Sequence, residues 1–196
     1  IQQELVDNDL ARADYRFELS RSLVNLGQLL WTRNQHQEAE HYLRKATTLA
    51  QKLADDFPSS DEFQDAAGRS HSHLSSLLFN QNQLEEARDI LLASVRYQRV
   101  ALKLKPEQTT YRDILPEQFG GLAQIHLRLQ EHANAVRAAT EFARVLPDRW
   151  QNLYDAACWV ARCVPLAEND SKLSEGQRQA TAELYAEQAI ELLRSS

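Results

Sequence analysis

The sequence contains no methionine, only two cysteines, and just five glycines and five prolines among 196 residues. So little glycine and proline is typical of a helical protein rather than of a disordered chain. The abundance of Leu, Ala, Glu, Gln and Arg over β-branched residues favours helices almost throughout. A hydrophobic fraction of 43% is sufficient for a buried core. We therefore predict an all-α protein.

The chain also lacks an excess of positive charge. Its net charge is -6 and its pI is about 5.5, so it has no basic field of the kind that binds nucleic acid or an anionic membrane. No apolar run approaches the roughly 18 residues that span a bilayer, and the N-terminus has no signal-peptide pattern. We expect no nucleic-acid partner, no membrane contact by this segment, and a cytoplasmic location.

Motifs for catalysis or cofactor binding are absent as well. We find no Gly-rich phosphate loop, no G-x-G-x-x-G and no H-E-x-x-H. His71 and His73 diverge on a helix and cannot share a metal, and His126 is interpreted as a buried, hydrogen-bonded ring. We predict no enzymatic activity, no cofactor and no metal.

The cysteines leave one enzymatic alternative open. Cys158 and Cys163 are five positions apart on a predicted helix, so they point in different directions and do not form a disulfide with each other. We interpret both as small buried apolar residues in a reducing compartment. The alternative is a helical enzyme or ligand-binding domain in which one of them is a nucleophile.

What the sequence does contain is an internal repeat. Each of Leu26, Leu30, Ala39, Leu43 and Pro58 has a counterpart 48 positions later, at Leu74, Leu78, Ala87, Leu91 and Pro106. Within each repeat, apolar residues recur at intervals of three and four on both sides of a polar pair, Asn34-Gln35 or Asn82-Gln83. Each repeat is therefore predicted to form a hairpin of two helices that ends at proline.

The small and apolar positions of these hairpins resemble the tetratricopeptide repeat. The residues that carry the resemblance are Leu23, Leu26-Gly27, Leu30, Ala39, Leu43 and Ala46, then His71, Leu74-Ser75, Leu78, Ala87, Leu91 and Ser94, and then Phe119, Leu122-Ala123, His126, Ala135, Ala139, Phe142 and Pro147. The resemblance implies an α-α superhelix of about four hairpins, the first two elongated.

We predict one domain over residues 1–196, with repeats at about 11–58, 59–106, 107–147 and 148–196. Residues 1–10 are interpreted as the remnant of a preceding helix. An insertion around Pro165–Lys172 interrupts the fourth repeat, whose second helix, at 174–194, is expected to cap the array with Glu183, Glu187 and Glu191 in solvent.

The elongated repeats resemble those of kinesin light chains and, more closely, those that follow the kinase domain of large bacterial serine/threonine protein kinases. The segments LVNLGQLL, QEAEHYLRKA and LYDAACWVA carry the second resemblance. It implies a non-catalytic regulatory or docking segment, while the first implies a cargo or partner adaptor. Since the chain starts partway through a repeat and without Met, we interpret it as part of a longer protein.

In tetratricopeptide arrays the first helix of each hairpin lines a concave surface that binds a protein or peptide, here including the parent chain. By register, the partner-binding groove would contain Arg21, Val24, Gln28, Trp31, Arg69, Ser72, Ser76, Phe79, Gln124 and Arg128. Arginine beside an aromatic side chain is typical of binding hot spots.

Two alternatives to this groove stay open. In the first, Trp31 and Phe79 only seal their hairpins beneath the neighbouring helix. In the second, the chain self-associates as a homodimer through its open N-terminal end, where Leu5 and Leu19 are expected to be exposed.

Overall fold

A computed structural model describes the backbone of residues 2–195 and the side chains of residues 12–195. Over these residues the predicted all-α fold of successive helical hairpins is confirmed. The helices are α1 (Gln2–Thr32), α2 (His36–Asp56), α3 (Asp61–Asn80), α4 (Leu84–Leu104), α5 (Thr109–Arg128), α6 (His132–Val145), α7 (Trp150–Glu168) and α8 (Glu175–Ser195). The chain divides into two compact units, residues 1–111 and 112–196.

The turns inside the first three hairpins share one geometry. Asn34, Asn82 and Gln130 all adopt a left-handed backbone with φ near +60°. In each turn the next amide donates back across the helix end, as Gln35 N does to Leu30 O at 2.9 Å. Asparagine tolerates this conformation better than most residues, which explains the repeated Asn-Gln pairs.

In the first unit, α1 packs against α2, α3 packs against both α2 and α4, and α1 also contacts α3. Buried alanines such as Ala50 and Ala67 let the helices approach closely, and Leu53 and Phe63 pack in the same interior. Ser60 is the N-cap of α3, since its side chain accepts a hydrogen bond from Phe63 N at 3.3 Å.

The lengths of the second helices follow the predicted elongation. The helices α2 and α4 each have 21 residues, whereas α6 has 14. In the second unit, α6, α7 and α8 pack in sequence, and the rings of Phe142 and Trp159 lie 4.8 Å apart beside Gly120.

Two boundaries differ from the expectation. The structure has one continuous helix over Gln2–Thr32, because no glycine or proline interrupts residues 2–26. Likewise α7 continues through Pro165 to Glu168, so the insertion lengthens a helix before it forms a loop. Pro165 lies within the last four residues of this helix, and its ring nitrogen cannot donate the usual backbone hydrogen bond.

The helix α8 closely matches the expected cap at 174–194, and Glu183, Glu187 and Glu191 are exposed on it. Leu5 lies outside the residues whose side chains are described.

Candidate functional site

A cleft of about 450 Å³ lies between α1 and α3 in the first unit. Its lining comes from three segments: Phe17, Ser20, Arg21, Val24, Asn25 and Gln28 of α1, Asp65, Ala66, Arg69, Ser70 and His73 of α3, and Gln108, Thr110 and Tyr111 around the start of α5. The residues on each helix are spaced by three and four, so one face of each helix borders the cleft.

Four of the ten predicted groove residues border this cleft, namely Arg21, Val24, Gln28 and Arg69. A smaller adjoining cleft of about 210 Å³ contains Trp31 and Ser76, together with Gln28 again. The Trp31 ring lies 4.5 Å from the ring of His36 at the start of α2. Trp31 therefore contacts its own hairpin and also borders open space.

The remaining predicted residues lie elsewhere. Ser72 faces α4, since its Oγ is 3.0 Å from Ser94 Oγ, and half-buried Phe79 is in the lining of neither cleft. The repeat offset of 48 transfers positions from α1 to α3, but α3 also packs against α4, so the two helices bury different faces. Gln124 and Arg128 belong to the second unit, where they are exposed one turn apart on α5.

Both arginines of the cleft bond to carboxylates on their own helices. Arg21 NH1 donates to Glu18 Oε1 at 3.0 Å, and its guanidinium carbon lies 5.6 Å from the centre of the Phe17 ring. Arg69 Nε donates to Asp65 Oδ2 at 2.8 Å. These pairs are exposed and one turn long, so each contributes roughly 0.3–0.5 kcal/mol and orients the guanidinium more than it stabilises the fold.

A buried amide network supports the Asp65 side of the cleft. Gln98 Nε2 donates to Asp65 Oδ1 at 3.0 Å and to Tyr111 O at 3.1 Å. Tyr111 in turn donates its hydroxyl to Asp61 Oδ2 at 2.7 Å, and burial together with this bond raises the pKa of Tyr111. These contacts hold α3, α4 and the start of α5 in one arrangement.

Sequence reasoning missed Asn25, His73, Gln108 and Thr110. Asn25 follows Arg21 by one helical turn, and His73 follows Arg69 by the same interval. Extending each exposed face by a turn would have found both. Gln108 and Thr110 reach the cleft through a connection between helices, and helical periodicity contains no signal for them.

The cysteines of the second unit differ from each other. Cys163 is buried, donates its thiol to Trp159 O at 3.3 Å, and has its pKa raised to about 11 by burial. Cys158 is exposed, so the expectation that both are buried is wrong for Cys158, which faces away from the helix contacts of α7. The buried thiol does not favour the thiolate that nucleophilic catalysis requires.

Two histidines in the second unit are held by hydrogen bonds. His126 is buried and its Nδ1 lies 2.6 Å from Glu131 Oε2, as predicted for a bonded ring. His132 bonds through Nδ1 to Tyr185 and through Nε2 to Asp170, both at 3.0 Å. Over the residues that the structure describes, no group of three or more His, Cys, Asp or Glu is placed to hold a metal, and no helix is long and apolar enough to cross a membrane.

Part of the chain matches a known repeat family. Residues 19–59 match the tetratricopeptide repeat family. This range covers the second half of α1 and all of α2, which is the predicted first hairpin. No curated protein matches the chain.

Among solved structures, the chain is similar to a de novo designed helical repeat protein, DHR64, with 17% identity over 96% of both chains and a TM-score of 0.40. It is also similar to the DHF119 filament, with 17% identity over 96% of this chain and 97% of that one and a TM-score of 0.43. Scores this low support no inference about arrangement or function.

Proposed function

We propose that this chain is a non-catalytic protein-interaction segment that binds an extended stretch of a partner protein in the cleft between α1 and α3. The observation that carries the proposal is the cleft itself. It is lined by one face of α1, one face of α3 and the start of α5, which together present arginine, amide and imidazole groups beside apolar side chains. Such a mixture of apolar area and directed polar groups is typical of peptide-binding grooves.

The polar side chains of the cleft suit a chain in extended conformation. Asn25, Gln28 and Gln108 each carry an amide that both donates and accepts hydrogen bonds. A peptide backbone without intramolecular partners presents the complementary donors and acceptors at regular intervals. The match to the tetratricopeptide repeat family over residues 19–59 supports the same class of function.

The proposal is tested with a display library of random peptides selected on the whole chain. Enriched peptides are labelled, and their affinities are measured by fluorescence anisotropy. We expect the double variant Arg21→Ala, Arg69→Ala to weaken binding roughly tenfold or more, since hydrogen bonds to charged groups contribute about 1.5–3 kcal/mol. The control is the double variant Arg96→Ala, Lys103→Ala, which also removes two positive charges, here from exposed positions on α4. Equal losses in the two proteins would contradict the proposal.

We further propose that the segment belongs to a larger cytoplasmic protein with a kinase domain, for which it is a regulatory or docking region. The support is the resemblance of its elongated repeats to those of bacterial serine/threonine kinases. Two free cysteines are compatible with a reducing compartment. The encoded sequence upstream of Ile1 is the test: a kinase domain supports this context, and an unrelated domain overturns it.

Self-association is a second candidate, and one observation favours it. Tyr15, Leu19, Leu26 and Leu29 are exposed along one side of α1, with Leu19 at 50% and Leu29 at 48%. A spacing of three and four places them in a stripe that a second copy could cover. Light scattering of the wild type and of Leu19→Glu, Leu26→Glu separates the cases: a dimer that dissociates in the variant supports this candidate, and a wild-type monomer at high concentration rejects it.

A further inference from the structure

The cleft that borders Arg21 and Arg69 and the smaller cleft that borders Trp31 are two compartments of one groove. Gln28 and His73 line both of them. Gln28 Nε2 donates to His73 Nδ1 at 3.0 Å, so a hydrogen bond from α1 to α3 marks the division. We call the larger space the arginine compartment and the smaller one the tryptophan compartment.

The charge of the groove depends on the protonation state of His73. The amide nitrogen of Gln28 faces Nδ1 of His73, an arrangement that suits a neutral ring with its proton on Nε2. Burial, with a smaller contribution from the positive Arg69, lowers the pKa of His73. The imidazole is therefore uncharged at neutral pH, and the two guanidinium groups are the positive charges of the groove.

The arginine compartment is complementary to a carboxylate. Asp65 also borders it, but both of its oxygens are engaged, one by Arg69 and the other by Gln98. Glu18, the partner of Arg21, is outside the lining. The bond of Arg69 to Asp65 uses Nε alone, and that of Arg21 uses a single terminal nitrogen, so each guanidinium presents further N–H donors.

The tryptophan compartment is complementary to an apolar side chain. Leu43, Leu77 and the Trp31 ring provide its apolar surface. Two of its polar side chains bond within their own helices, with the Thr32 hydroxyl donating to Leu29 O at 2.8 Å and Asn80 Nδ2 donating to Ser76 O at 2.7 Å. An incoming apolar group therefore leaves these polar atoms satisfied.

The helix geometry fixes the spacing between the two compartments. Arg69 and Leu77 are eight positions apart on α3, which corresponds to about 12 Å at 1.5 Å per residue. An extended chain rises about 3.3 Å per residue, so it covers this distance in three to four residues.

We infer that the groove recognises an extended segment that carries a carboxylate side chain and, three or four residues away, one apolar side chain, which lie on opposite sides of the Gln28–His73 hydrogen bond. This inference rests on the proposed function, because it specifies the partner of the same groove. The inference goes beyond the proposed function because it assigns a separate side-chain preference to each compartment.

The test uses two synthetic peptides, one for each chain direction, in which Glu and Leu are separated by three serine or glycine residues. Matched peptides replace Glu by Gln, replace Leu by Ser, or place Glu and Leu side by side. Chemical-shift titration of the whole chain measures each affinity. We expect one direction to bind, and each of the three changes to weaken binding roughly tenfold.

Two variants assign the preferences to their compartments. In Ser76→Phe the new ring occupies the tryptophan compartment, so the preference for Leu over Ser should disappear while that for Glu over Gln remains. In the Arg21→Ala, Arg69→Ala protein the reverse is expected. Circular dichroism verifies that both proteins are folded.

Peptides from the random library that bind the groove without an acidic and an apolar residue at this spacing would overturn the inference and leave the proposed function standing. If groove variants leave all selected peptides bound with unchanged affinity, the proposed function fails as well.

Discussion

The first two hairpins have the same turn and second helices of equal length, yet their helices contact each other through different chemistry. In the first hairpin, Ala46 and Ala50 of α2 are fully buried. Their counterparts in the second, 48 positions later, are Ser94 and Gln98 of α4, which are equally buried. One contact is apolar and the other is made with side-chain hydrogen bonds.

The bonds of the second hairpin are short and internal. Ser94 Oγ donates to Gly68 O at 2.6 Å, and Ser75 Oγ donates to Ala87 O at 2.7 Å. In the first hairpin Gly27 stands at the position of Ser75, directly against Leu43. Each hairpin thus has a glycine at its closest approach, Gly27 in one and Gly68 in the other.

This difference shows that equivalent buried positions of the two repeats accept side chains of different polarity and size, as from Ala50 to Gln98. The polar contact adds a further property, since Gln98 connects Asp65 of the cleft to Tyr111 O. The first hairpin contributes the α1 side of the groove, and the second contributes an α3 side on which Asp65 is fixed by the buried Gln98.

The largest effect on this comparison is expected for Gly27→Ala. A Cβ there would lie 2.7 Å from Leu43 Cγ and 3.2 Å from Ala39 O, so α1 and α2 must move apart. Overpacking of about 1–3 kcal/mol exceeds the gain of roughly 0.5–1 kcal/mol in helix propensity. We expect a net loss of about 1–2 kcal/mol in urea unfolding.

The control is Gly176→Ala on α8, where an added Cβ has no atom within 4 Å. It should leave stability unchanged or raise it slightly. If both alanine variants change the free energy of unfolding equally, the close approach of α1 and α2 at Gly27 does not determine the stability of this hairpin.

A smaller effect is expected for Ser94→Ala, which removes the bonds to Gly68 O and Ser72 Oγ from the polar hairpin. The loss should be about 1 kcal/mol, the usual contribution of a buried hydrogen bond. Relative to the wild type, amide hydrogen exchange in the variant should accelerate more in α3 and α4 than in α1 and α2. Ser76→Ala, at an exposed position on α3, is the control, and an equal loss there would argue that the buried bonds add no stability.

Acid should destabilise the polar hairpin selectively. Burial is the main cause that lowers the pKa of both His71 and His73, with Arg96 acting in the same direction on His71 and Arg69 on His73. The folded state therefore disfavours their protonation. Stability is complete above the ordinary histidine pKa of about 6.5 and decreases as the pH falls through the lowered values.

The variant His71→Leu, which introduces the residue that the first hairpin has at Leu23, should reduce this loss. Urea midpoints at about pH 7.5 and about pH 5.5 measure it. An undiminished loss of stability in acid would mean that His71 is not its source.

The smallest effect concerns the link between the two hairpins. Arg44 donates to Glu40 at 2.8 Å and to Glu86 at 2.7 Å, and all three side chains are partly exposed. We expect Arg44→Ala to lower the free energy of unfolding by about 0.5 kcal/mol. This difference from the wild type should disappear in high salt, which screens the charges. Urea unfolding with and without salt is the measurement, and a salt-independent loss would indicate packing rather than charge.

The fold could be predicted because hairpin length, turn and proline recur at one spacing, and because Asn34 and Asn82 occupy positions that demand a left-handed backbone. The cleft could be predicted more fully on α1, where Arg21, Val24 and Gln28 follow the helical period along one face, than on α3, where only Arg69 was found. On α3 the side that borders the cleft depends on packing against α4, so Ser72 was assigned to the groove and His73 was not. The end of α7 could not be predicted because proline usually interrupts a helix, whereas Pro165 lies inside this one.

The central claim is that the groove between α1 and α3 is the surface that binds a partner. Asn25 lies within the arginine compartment, and its replacement by a photoreactive amino acid there reports contact directly. After irradiation with a selected peptide, mass spectrometry should find the peptide joined to position 25 and not to the same photoreactive residue at position 96 on α4. Cross-linking at position 96 alone would contradict the account.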